Sequence, residues 1–344
     1  MLIYFATIKT DKLHNQQNSV YLSIIRSVVC VIALFSVSVA SLQAEKGVIP
    51  LNPLAKITKT QQCAFIAWNE DLGEEMLTLS SEISASLPTE VLEFVPFPTM
   101  PVVKPMDRSL FQKLERLVKK SDSGNGNAYS GKAMPSALQF YPQVSVEGVT
   151  IEQFLGSGVL FKWLQDYFNG RGFYSPEIKE GMKKILYTYT KERFSWFVFN
   201  RLEVDQKVRS SEPMMYHFKT PSLYYPLRVH RPEGGSTFIL IFIMAPHSFN
   251  EFSGFPVEKI DVIRQYVPVP ASQLRSISRE LYDFFGGRND IVLHVWAIKE
   301  RCYDLHDDLF ALGYATSNIE NVDDIEPAPA KPPRDAVSSE KGAE

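Results

Sequence analysis

Cysteine is scarce in this chain. Its 344 residues hold only Cys30, Cys63 and Cys302, which excludes a fold stapled by a disulfide framework. An excess of charge of one sign is also missing. The 36 lysines and arginines against 39 aspartates and glutamates leave a formal charge of -3, without the electrostatic footprint of a nucleic-acid binder. No apolar run reaches the about 20 residues that a membrane-spanning helix needs. No Asn-x-Ser/Thr acceptor occurs, an absence that leans toward a bacterial rather than a eukaryotic exported protein. What is present is apolar material, 45% hydrophobic and 12% aromatic. That rules out disordered and collagen-like chains and provides for a substantial core.

The most apolar stretch, Ser27–Ala40, counts 14 residues and follows a segment punctuated by Lys9, Lys12 and Arg26. A basic flank, a short apolar centre and small residues after it describe a secretory signal peptide over 1–44. The Ser-Leu-Gln-Ala sequence places the cleavage at Ala44, with Ala40 as second choice. Val29 precedes Cys30 where a lipoprotein would carry glycine or alanine, so no lipid anchor is expected. Cleavage would leave 33 basic and 38 acidic residues, a mildly acidic chain with no basic patch for a membrane surface. The expected location is periplasmic or extracellular, with no stable membrane anchor.

Residues 45–316 read as one large α+β domain, a substantially antiparallel sheet flanked by several amphipathic helices. Cys63–Trp68, Glu75–Leu79 and Glu90–Val95 predict strands, with turn chemistry at Asn69–Gly73 and a stop at Pro96. Asp107 caps a helix whose apolar positions are Leu110, Phe111, Leu114, Leu117 and Val118. Residues 121–136, rich in glycine, serine and asparagine, read as a mobile loop. Thr150 and Gln153 form a capping-box pattern for a helix to Phe168, and Ser175-Pro176 opens another. Strands follow at Ser195–Val204, Met214–Phe218, Tyr225–Arg231, Ser236–Met244 and Ile291–Ile298, with a helix from Leu274 to Phe285. Thr237–Met244 is apolar on both faces and predicts a central strand. Residues 317–344, dominated by Asp, Glu, Pro, Ala and Lys, read as a disordered tail.

Chemistry-bearing residues are sparse. Gly126–Ala133 nearly spells a phosphate-binding loop, but Ala133 replaces the magnesium-binding hydroxyl and Pro135 interrupts the helix that would receive phosphate. No nucleotide is expected. The histidines beyond the signal segment, His217, His230, His247, His294 and His306, show no spacing that sets two ligands on one helix face. Cys302, Asp304, His306, Asp307 and Asp308 form the densest group of possible ligands, which reads as a polar loop rather than a metal site, and no cofactor is expected. His247-Ser248 follows the apolar strand, where sites often sit. Glu74-Glu75 and Asp307-Asp308 read as solvated turns. With export, Cys63 and Cys302 are the two cysteines that remain, and an oxidising compartment favours a disulfide between them. Aromatics take 17 of the 72 positions from 154 to 225, mostly at core periodicity. Phe173-Tyr174 and Tyr224-Tyr225 fall at turns and are the candidates for an exposed stacking platform.

Phe94-Val-Pro-Phe-Pro-Thr-Met-Pro101, Trp163-Leu164, Gly172-Phe173, Tyr187 to Phe194, Trp196-Phe-Val and Tyr225-Pro-Leu-Arg228 carry a resemblance. They resemble the VPVPS-P and YPLR segments of an uncharacterised exported bacterial family, a domain of unknown function. The resemblance spans about residues 60–250 and implies a secreted globular protein. It supplies no catalytic residues. The expected function is a non-catalytic binding or structural protein of the envelope or extracellular space, with a protein or glycan ligand. The competing class is a secreted hydrolase with a cryptic site near His247 or Asp304–Asp308.

Overall fold

A computed structural model of the protein describes residues 47–124, 141–172, 180–231 and 235–313. The signal segment with Ala44, Gly126–Ala133, Phe173-Tyr174, Ser175-Pro176 and the 317–344 tail lie outside the described residues, as does most of the 121–136 loop. In chain order the elements begin with β1 (Val48–Pro50), β2 (Ile57–Asn69), β3 (Glu74–Ala85), β4 (Thr89–Phe97), β5 (Val102–Pro105) and α1 (Leu110–Gly124). Next come β6 (Gln143–Val144), β7 (Val146–Gln153), α2 (Ser157–Asn169), α3 (Glu180–Lys191), β8 (Trp196–Val204), β9 (Arg209–Ser211), β10 (Met214–Lys219) and β11 (Leu223–Tyr225). The last are β12 (Ser236–Ala245), β13 (Phe249–Gly254), β14 (Ile260–Val269), α4 (Ala271–Ile277), α5 (Arg279–Phe284), β15 (Ile291–Arg301) and β16 (Leu309–Gly313).

The largest sheet runs β14-β15-β12-β2-β3-β10-β5, and β9 with β6 extends it beside β3. A four-stranded sheet, β1-β4-β8-β7, and a three-stranded one, β11-β16-β13, complete the set. Most pairs are antiparallel, while β12 with β2 and β6 with β9 are parallel. The fold is a single β-rich α+β domain, 47% strand.

The two-residue period of a strand explains how the layers meet. Along β12, Ile239, Ile241, Ile243 and Ala245 join a core shared with Val95, Phe97 and Val198 of the four-stranded sheet. Leu240, Phe242 and Met244 point the other way, into a core closed by α1, α4 and α5. All seven are fully buried, so the central strand expected from its unbroken apolar run is central. Burying each large aliphatic or aromatic chain contributes about 1.5–3 kcal/mol. A third core sets Phe94, Phe197 and Phe199 against α2 and α3 through Leu160, Leu164, Phe168, Ile185 and Leu186. The layers are therefore helices, large sheet, small sheets, helices.

Several elements depart from expectation. Thr150 opens no helix; it lies in β7 opposite Phe199, because Val149 and Ile151 alternate with polar residues and pair better as a strand. The helix starts at Ser157, with Gly156 as its cap. Pro96 does not end β4, which pairs with β8 as far as Phe97. β1 has already ended beside Val91–Glu93, so no partner on that edge asks Pro96 for an N–H, and its carbonyl accepts the Tyr224 hydroxyl at 3.2 Å. Pro226 cuts the expected 225–231 strand, and a 3-10 turn covers Arg228–His230. The 274–285 helix divides at Ser278 into seven- and six-residue pieces. Five α-helices are described, two of them that short, so amphipathic helices contribute less than expected.

Candidate functional site

A cavity of about 220 Å³ opens at the edge of the helix-covered face of the large sheet. Its origin is a change of residue type along two strands. On this face β2 presents Gln61, Cys63, Phe65 and Ala67, and β3 presents Met76, Thr78, Ser80 and Glu82. The apolar end lies against α1, where Phe111 packs on Phe242 with ring centroids 6.3 Å apart. The other end carries small or polar side chains, which leave room instead of filling it. A bulge between Lys59 and Gln62 in the β2–β3 ladder turns Lys59 to the face of Gln62, away from that of Gln61 and Cys63. Arg108, Phe111 and Gln112 wall the cavity on the α1 side, and Tyr141, Gln143, Ser210 and Pro213 close the flank.

Polar side chains share the lining with a larger apolar surface from residues such as Phe111 and Pro213. Glu82 accepts the Thr60 hydroxyl at 2.8 Å, and Ser80 donates to the Ser211 carbonyl at 2.7 Å. Gln61 Nε2 lies 3.8 Å from the Cys63 sulfur. The Gln143 side-chain oxygen is buried with no hydrogen-bond partner. Among the described residues Arg108 makes no ion pair, although its side chain is exposed. Burial pushes the Cys63 thiol up to about 12, so it is no thiolate nucleophile at neutral pH. Burial likewise raises the Glu82 carboxyl, with Thr60 opposing.

The opposite face of the large sheet holds polar groups of another kind. Lys59 Nζ meets Glu93 Oε1 at 2.6 Å, and the Ser81 hydroxyl donates to the same oxygen at 3.3 Å. Gln62 donates to Ser81 and accepts the Tyr225 hydroxyl, with His230 Nε2 3.1 Å from its side-chain oxygen. Farther along, fully buried Asp308 accepts Tyr189 OH at 2.8 Å, the Arg228 backbone N–H at 2.9 Å and Arg228 Nη2 at 3.0 Å. Arg228 also meets Glu192 at 2.7 Å, and its guanidinium lies 4.5 Å over the Tyr189 ring. Burial works against the Arg228 charge, but Asp308, Tyr189 and Glu192 hold it protonated. Glu75 accepts the Tyr224 N–H at 2.7 Å, and burial raises its carboxyl well above the ordinary range.

The residues singled out in the sequence are dispersed over these regions. Cys63 and Cys302 are both free. Cys63 lies beside Leu240, which faces Ala297, so Cys302 is two strands over and five residues on. At about 4.8 Å per strand and about 3.3 Å per residue that is roughly 19 Å, beyond the about 7 Å a disulfide spans. The Asp304–Asp308 group also scatters: Asp304 pairs with Arg301 at 2.8 Å, His306 lies edge-on to Tyr303, and Asp308 turns inward to Arg228. Among the described residues no three His, Cys, Asp or Glu side chains gather as for a metal ion. Glu74 pairs with His217 at 2.9 Å, while Glu75 is buried rather than solvated. Tyr224 and Tyr225 are completely buried, so they form no stacking platform.

His247 stands at the far end of the sheet. Its Nε2 is 3.0 Å from Glu70 Oε2 without hydrogen-bond alignment, and the ring meets Trp68 edge-on. Burial raises the Glu70 carboxyl, with His247 opposing. Among the described residues no hydroxyl or thiol hydrogen-bonds to the His247 Nε2. His294 sits beneath it among Phe249, Tyr266 and Trp296, and burial pushes it down to about 4. Sequence reasoning named Cys63 of the cavity, for the wrong role, and missed its other walls. The signal was there in Gln61, Cys63, Ser80 and Glu82, polar or small side chains in register on what the strand period makes an inward face.

No family model matches the chain, and no curated protein matches its sequence. Among solved structures, the crystal structure of baculovirus P35 is similar with a TM-score of 0.36 and 9% sequence identity. The alignment covers 77% of this chain and 96% of that one.

Proposed function

We propose that this protein is a non-catalytic binding module whose cavity, between α1 and the polar end of β2–β3, takes a small polar ligand. The observation that carries this reading is the lining. Glutamines, serines, one arginine and one glutamate, together with Phe111 and Pro213, line a 220 Å³ space. Catalysis fits the lining poorly. It includes no histidine, and its thiol is held protonated by burial. The volume lies below the about 300–1,000 Å³ of sites for drug-sized ligands, so the ligand is a small metabolite.

The mildly acidic charge and the 1–44 segment support export, with the binding carried out in the periplasm or outside the cell. Ligand-observed NMR against a mixture of amino acids, hexoses and dicarboxylates tests the binding claim. At least one probe is expected to bind wild type and to lose binding in Ser80→Leu, whose longer side chain intrudes into the space. Hydrolysis of ester, peptide or glycan substrates that disappears in His247→Ala would overturn the non-catalytic reading. N-terminal sequencing of protein collected outside the cytoplasm is expected to begin at Glu45, and an intact Met1 would overturn export.

A further inference from the structure

The two charged side chains of the cavity narrow the ligand class. Arg108 precedes α1 on one wall, and Glu82 lies on β3 on another. They line the same space, yet no ion pair joins them. Among the described residues Glu82 meets no cation, only the Thr60 hydroxyl, and Arg108 meets no acceptor. A carboxylate and a guanidinium that share a cavity without touching leave a gap that one molecule with both charges can span.

Resting on the binding reading above, we propose that the ligand is a small zwitterion, a free α-amino acid. Its carboxylate would take the planar fork of Arg108, a geometry suited to two parallel hydrogen bonds. Its ammonium would donate to Glu82, with Ser210 and Gln61 beside it. Competing ligands each leave a mismatch. A simple organic acid brings its charge toward Glu82, a simple amine toward Arg108, and a neutral polyol leaves both ions unpaired. Size is compatible with this class: 220 Å³ is the volume of about seven liquid waters, room for a small amino acid.

Isothermal titration calorimetry of the full chain decides the matter, with glycine, L-serine and L-aspartate as probes. Ethanolamine and glycerate serve as serine analogues lacking one charge, and glucose serves as the neutral polyol. At least one amino acid is expected to bind, with both analogues weaker by about tenfold or more. Arg108→Gln and Glu82→Gln should each weaken it about tenfold to a hundredfold, the worth of one charge-assisted contact. Arg108→Lys should lose less. Arg108 is exposed, so its variants carry the test even if Glu82→Gln folds poorly. Binding of glucose alone would overturn the zwitterion and leave the cavity reading standing. Amino-acid binding unchanged in both Arg108→Gln and Glu82→Gln would overturn it as well. No binding by these or the wider NMR probe set would overturn both.

Discussion

The two faces of the large sheet bury polar groups to opposite ends. On the face against the small sheets, Lys59, Glu93, Ser81 and Gln62 bond to one another, and Asp308 is enclosed by Arg228 and Tyr189. On the helix-covered face, Arg108 and Glu82 line a cavity, and among the described residues no ion pair joins Arg108 to any acid. Polar groups bonded across two layers lock those layers together. Groups left open toward a cavity are available to something else. On the proposed reading the first set is structural and the second binds.

The largest break should come at Asp308. Asp308→Ala strands the Arg228 guanidinium and leaves Tyr189 OH without its acceptor, so urea unfolding should show a loss of about 5 kcal/mol. Lys59→Met should cost about 3–4 kcal/mol by leaving Glu93 charged and buried. Adding Glu93→Leu should return most of that loss, because an apolar pair needs no desolvation. If the double variant is as unstable as the single one, the pair is not the source of the effect.

Acid provides the next test. His294 takes its proton near pH 4 in the fold, against about 6.5 in the unfolded chain. Between those values the unfolded state binds more protons, so stability is full above about pH 7 and falls toward pH 4. The loss attributable to this one ring is on the order of 3 kcal/mol, and His294→Phe should flatten the profile in that window. The smallest effect belongs to the cavity rim, where Arg108→Gln should change unfolding by less than about 0.5 kcal/mol. A large loss there would move Arg108 from binding to structure.

Where a strand or helix declares itself by local periodicity, the sequence made it legible. The two-faced apolar run of β12 and the Leu110, Phe111, Leu114, Val118 stripe of α1 are read directly from spacing. The break at Pro226 is equally local, a proline whose missing N–H ends pairing just after Tyr225. Thr150 shows the limit, since the same residues fit a capping box or a strand and only pairing with β8 decides. The polar networks were illegible because their members are far apart in sequence. Tyr189 and Asp308 are 119 residues apart, and Gln62 and Tyr225 are 163. The cavity was half legible: Cys63 stood out as a cysteine, but the bulge that turns Lys59 away from the face of Gln61 and Cys63 leaves no local mark.

The most direct measurement pairs unfolding and binding in one variant, Ser80→Leu. Thermal denaturation of wild type and variant, each with and without the amino-acid, hexose and dicarboxylate probes, separates the roles. If the cavity is for binding, wild type gains thermal stability with at least one probe, and Ser80→Leu gains none while unfolding within a few degrees of wild type. Equal ligand-induced shifts in the two proteins, or none in wild type, would contradict the assignment.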